Sequence, residues 1–100
     1  MQPMTHAGGP PLGGVVGLES VEILPANPMR GYFVIFNTHD SGTIYLSLSR
    51  GLYAPEVGFG IAIGPKESYS INALNMYRDS IEAIADADGV TWCGMQGGAG

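Results

Sequence analysis

One cysteine, four basic residues and no long apolar run leave several common functions without their usual equipment in this 100-residue sequence. Cys93 stands alone, so no intramolecular disulfide can form, and the chain is unlike a small secreted scaffold held by bridges. With two scattered histidines beside it, there is no metal-ligand spacing, and no metal or other cofactor is expected. The cations Arg30, Arg50, Lys66 and Arg78 are spread along the chain. A nucleic-acid groove or an anionic membrane surface needs several on one face, so neither partner is expected. The longest apolar stretches fall far short of the roughly 20 residues of a membrane-spanning helix. The opening MQPMTHAGGPPLGG has neither the basic nor the apolar region of a signal peptide, so folding in a reducing cytosol is the simplest expectation.

Charge of either sign is also sparse. Charged residues make up 13% of the chain, against about 25% in average soluble domains. Hydrophobic residues reach 45%, and the net charge is -5. A chain this short supports one domain with a modest core, so a surface so poor in charge points to contact with other protein.

What is present is a succession of short strands. Residues 1–14, rich in glycine and proline, read as an extended N-terminal arm, residues 15–93 as a β-domain and residues 94–100 as a glycine-rich tail. Val15 to Leu24 alternates loosely, with Val21 and Ile23 on one face. Gly31 to Asn37 is apolar and aromatic almost throughout, and Thr43 to Ser49 has a clear period of two, with Ile44, Leu46 and Leu48 on one side. Thr38 to Gly42, Gly64-Pro65-Lys66 and Asp86 to Gly89 carry turn chemistry and predict three hairpins. Ser70 to Tyr77 fits a helical turn or a loop equally well. The sum is an all-β fold, a small antiparallel sandwich or barrel of six or seven strands.

The run LPANPMRGYFVIFNT is the most distinctive. Pro25-Ala26-Asn27-Pro28 locks an extended corner, because each proline fixes its own φ and bars the preceding residue from the helical region. After Arg30 the strand places Phe33 and Ile35 on one face and Tyr32, Val34 and Phe36 on the other. Both faces are too apolar for solvent, so one should meet a second sheet and the other a neighbouring subunit or an arm. Arg30, at the mouth of the strand, invites a bidentate carboxylate, within the chain or on a neighbour.

No catalytic constellation emerges. His39-Asp40-Ser41 has the residue types of a hydrolytic triad, but sequence neighbours cannot converge as nucleophile, base and orienter, so a polar turn is the better reading. Asp86-Ala87-Asp88-Gly89 resembles the start of a calcium loop without its later ligands. The glycines at 58, 60 and 64 lack the strand–loop–helix setting of a phosphate cradle. Cys93 reads as a small buried thiol. Tyr53, Tyr69 and Tyr77, if exposed, would suit either a sugar platform or a protein interface.

The stretch LPANPMRGYFVIFNTHDSGTIYLSLS, with its continuations GFGIAIGPKESYSI and IEAIADADGVTW, resembles a pattern found in small structural proteins of tailed-phage virions. The elements are the corner with Asn27 and Arg30, the strand Tyr32 to Asn37, the turn His39 to Gly42 and the strand Ile44 to Ser49. The resemblance implies a non-enzymatic β-sandwich, made in the host cytoplasm and carried in the virion. Its first implied role is a capsid decoration or cement protein that binds the major capsid protein, or other virion proteins, as a homo-oligomer. Alternatives are a tail, connector or fibre-attachment accessory and a carbohydrate-binding host-recognition module. Expected contact residues are Met4, Pro10, Pro11 and Leu12 in the arm, together with Arg30, Tyr32 and Phe36.

Overall fold

The computed structural model describes residues 12–48, 54–71 and 77–98. Eight strands form: β1 (Leu12–Val16), β2 (Val21–Leu24), β3 (Arg30–Asn37), β4 (Ile44–Ser47), β5 (Ile61–Ile63), β6 (Ser68–Ile71), β7 (Ile81–Ala85) and β8 (Val90–Gly98). They make two four-stranded sheets, ordered β1-β8-β3-β6 and β2-β7-β4-β5, and every pairing is antiparallel. The first strand pairs with the last, the second with the seventh, the third with the sixth and the fourth with the fifth. This nesting describes one long antiparallel ribbon, doubled back at β4–β5 and rolled until β3 meets β8 and β4 meets β7. The result is an eight-stranded jelly roll.

The two sheets close over a core that includes Phe33, Ile35, Ile44, Leu46, Ile81 and Val90, all fully buried. Each comes from the inward half of a period-two pattern: β3 alternates buried and half-buried from Phe33 onward, and β4 and β7 do the same. Burying side chains of this size stabilises by about 1.5–3 kcal/mol each, which is what drives β3 into the centre of its sheet. Leu48, just past β4, packs against the same core, as its spacing predicts.

The expected turns are present, but none of the three makes a hairpin. β3 and β4, β5 and β6, and β7 and β8 lie in opposite sheets, so residues 38–43, 64–67 and 86–89 are arches that carry the chain across the sandwich. Turn chemistry is the same for both uses: Gly89 has φ 70° and Lys66 φ 63°, the left-handed conformation that reverses a chain whichever way the next strand is laid. The strands number eight because Gly17 to Ser20 splits the first expected strand into β1 and β2.

Two boundaries move as well. β1 begins at Leu12, inside the expected arm, and β8 runs to Gly98, through most of the expected tail. The reason is close approach. A methyl group on Gly94 would lie 2.5 Å from the Val34 carbonyl oxygen and 3.3 Å from the Trp92 ring, and one on Gly13 would lie 3.1 Å from the Trp92 carbonyl. Glycines that read as flexible are where backbones and the Trp92 indole press together. Of the ambiguous segment, Ser70 and Ile71 belong to β6, and residues 72–76 lie outside the described residues.

Candidate functional site

β3 begins and ends on a fully buried polar side chain, Arg30 and Asn37, and each fastens one end of the sandwich. At the start, Arg30 Nε donates to Gln96 Oε1 (2.8 Å), Nη1 to the carbonyls of Tyr77 (2.9 Å) and Asp79 (3.0 Å), and Nη2 to the carbonyl of Pro25 (2.7 Å). Its guanidinium carbon also lies 5.7 Å from the centre of the Phe33 ring. Arg30 and Phe33 are three apart and would face opposite ways in a regular strand. A register shift between Arg30 and Tyr32 turns the arginine inward. The bidentate carboxylate expected for Arg30 is replaced by three backbone carbonyls and an amide oxygen, all within the chain. Burial pushes its pKa below the ordinary arginine value, while Tyr77 and Asp79 act in the opposite direction.

The proline corner is therefore the arginine's socket. Asn27 Oδ1 accepts from the Met29 amide (3.0 Å), and the Asn27 amide donates to the Arg78 carbonyl (2.8 Å), so the corner is tied to the segment that supplies two of the guanidinium's acceptors. At the far end, Asn37 Nδ2 donates to the carbonyls of Gly42 (2.8 Å) and Ile63 (2.9 Å), and Oδ1 accepts from the His39 amide (2.9 Å). Sequence reading passed over Asn37. Its signal was an amide ending an otherwise apolar run.

These two ties separate the connections into two sets. Residues 17–20, 38–43, 64–67 and 86–89 gather at the Asn37 end, joined by bonds such as Lys66 amide to Asn37 carbonyl (2.9 Å), Ala85 amide to Gly17 carbonyl (2.8 Å) and Thr43 amide to Asp86 Oδ1 (2.9 Å). Residues 25–29 and 77–80 gather at the Arg30 end, where residues 54–60, ahead of β5, also lie. The Asn37 end exposes five carboxylates, Glu19, Asp40, Glu67, Asp86 and Asp88, against one cation, Lys66. The Arg30 end carries the two most exposed large apolar side chains among the described residues, Met29 and Phe59, each 71% exposed, with Val57 beside Phe59 in sequence. An open hollow of about 560 Å³ at that end is lined by residues that include Leu46, Leu48, Pro55, Phe59 and Ile61 together with Ser47 and Glu56.

The triad-like residues sit at the acidic end as a turn. His39 Nδ1 accepts from the amides of Ser41 (3.2 Å) and Gly42 (2.8 Å), and Asp40 pairs with Lys66 at 3.2 Å on the surface. Among the described residues no three of His, Cys, Asp and Glu converge on a point that would hold a metal ion, and no helix is long and apolar enough to cross a membrane.

The expected contact residues divide. Met4, Pro10 and Pro11 lie outside the described residues, as does Tyr53. Leu12 is a partly buried strand residue packed on the core, and Arg30 is internal. Tyr32 and Phe36 stand half-buried on the outward face of the first sheet, opposite Gly97 and Cys93 of β8. Cys93 is exposed, not buried: alternation along β8 gives the inner position to Trp92. The exposed-tyrosine platform is not formed by Tyr69 and Tyr77. Tyr69 packs on the core with its ring 6.1 Å from Phe33, and Tyr77 donates its hydroxyl to the Ser80 carbonyl (2.8 Å).

Comparison with protein-family models, with curated proteins and with solved structures finds no match for this chain.

Proposed function

We infer that this protein is a non-enzymatic structural component of a phage virion, a decoration or cement protein that attaches to the capsid shell. Jelly rolls serve in viral shells, in lectins and in cupins, so the fold alone does not choose among them. The observation that carries the reading is the polarity of the molecule. Among the described residues, five of the seven exposed carboxylates crowd one end, where Leu18 and a second hollow bordered by Val15 and Val21 also lie. The two most exposed large apolar side chains among them, Met29 and Phe59, occupy the other with the hollow lined by Leu46 and Ile61. A cementing subunit needs such an arrangement, with an apolar end that loses water against the shell and an acidic end that stays solvated and repels further copies. The inward and internally bonded placement of Tyr69 and Tyr77 removes two of the three rings on which a sugar-binding reading rested.

The test is attachment to virus particles stripped of the protein, counting bound copies. The full chain should bind in many copies per particle. A Met29→Ser, Phe59→Ser double variant, altering two side chains that are mostly in water, should stay folded and bind at least about tenfold more weakly. Absence of binding by the full chain, or equal binding by the double variant, would overturn the assignment of the apolar end to the shell. An arm truncation belongs in the same assay only if it stops at Pro11, since removal through Gly14 takes more than half of β1.

A further inference from the structure

The outward face of the first sheet carries no charge. Along β1 it presents Val15, along β8 Thr91, Cys93 and Met95, along β3 Tyr32, Val34 and Phe36, and along β6 two serines. The only charged residue in these four strands is Arg30, which the register shift has turned inside. The second sheet differs, for Glu22 and Glu82 face each other across β2 and β7. In a chain of net charge -5, the uncharged face is the one broad surface among the described residues on which two copies can meet without bringing carboxylates together.

We propose that this face is where two copies of the chain pack back to back about a two-fold axis, Val34 and Met95 of each copy lying at the centre. The pairing is isologous, because a neutral face meets its own copy without repulsion and carries no charge to select an oppositely charged partner. Four strands about 4.8 Å apart and up to nine residues long offer on the order of 500 Å² per copy. Specific interfaces begin near 600 Å² per partner, so the dimer should be reversible, forming in the micromolar range or above. The two sheets would pack as sheets do in sandwiches, about 10 Å apart with strands crossing at roughly 30°. Cys93, one position along the face from the centre, becomes a reporter: its thiol is open in one copy and shielded in the pair.

The proposal specifies the partner on a surface distinct from the apolar end assigned to the shell, and the two readings fail separately. Sedimentation equilibrium of the full chain from micromolar to near-millimolar concentration should show a monomer–dimer equilibrium. The rate of maleimide addition to Cys93 should fall as the dimer fills. Val34→Glu should weaken the dimer by at least about tenfold. Met95→Glu, at a side chain already 41% exposed, gives the same test if Val34→Glu fails to fold. Ala62→Glu, on the outward side of β5, should leave the dimer intact. A monomer at every concentration overturns the proposal, as does a dimer indifferent to a folded Met95→Glu variant. A monomer that binds particles through this face, with binding lost in Met95→Glu, also overturns it and makes the shell the occupant. A dimer that binds no particle leaves this proposal standing and removes the attachment reading.

Discussion

Asn37 concentrates much of the molecule's specificity in one side chain. Its amide nitrogen meets two carbonyls, one from the β3–β4 arch and one from the end of β5, and its oxygen meets an amide, so each atom is used in the sense its chemistry allows. Asn37→Ala removes three hydrogen bonds and leaves buried groups without partners, a loss of about 2–4 kcal/mol. Asn37→Asp is nearly the same size and should be worse. It sets a second oxygen, and a buried negative charge, against the carbonyls of Gly42 and Ile63. Denaturant unfolding of the two variants checks this, and an aspartate variant more stable than the alanine variant would contradict the bonding described. Arg30 shows the same logic with a charge: a planar fork spans acceptors on three segments, which a lysine ammonium cannot reach together. The corner before it was legible as a rigid turn in the sequence. What the corner encloses was not, because three of the arginine's four acceptors lie 47 to 66 residues away.

Among the elements, β8 is the longest strand and pairs with both β1 and β3. Gly94 is the tightest contact on it. Gly94→Ala would drive a methyl into the Val34 carbonyl and the Trp92 ring, and should lower stability by about 1–3 kcal/mol, measured by thermal or denaturant unfolding. The same substitution at a free glycine tail would cost nothing. β4 was legible with its buried face, because a period of two is a direct record of sidedness; β3 was legible with its two faces sorted but not which of them enters the core, since both are apolar, and β7 was legible as a strand only. β1 was hidden because Leu-Gly-Gly-Val-Val has too few side chains to show a period. The hairpins were misread because a sequence-local turn signal states that the chain reverses and says nothing of whether the next strand joins the same sheet. The pairing of β3 with β8 depends on residues at opposite ends of the chain, beyond the reach of any window.

For the molecule as a whole, the nested pairing makes the C-terminal strand structural. A chain ending at Cys93 would lose Gly94 to Gly98, which pair with the Arg30-to-Ile35 part of β3, and Gln96, which holds the arginine. We expect it to be unfolded by circular dichroism at room temperature; a cooperative native-like melt from that chain would show that β8 matters less than its position implies. The pairing of first strand with last, second with seventh and third with sixth also means that few native contacts are local, so folding belongs with the slow β-topologies, in milliseconds to seconds.

The acidic end is built entirely from connections, and β8 ends at Gly98 on the opposite side of the sandwich, paired with Arg30. Foreign sequence placed directly after Gly98 would therefore start beside Met29, on the end proposed for attachment. A peptide epitope spliced into the arch at Asp88-Gly89 would be carried on the far side, clear of the apolar end and of the neutral face alike. The roll thus supplies a display platform whose insertion points are its arches.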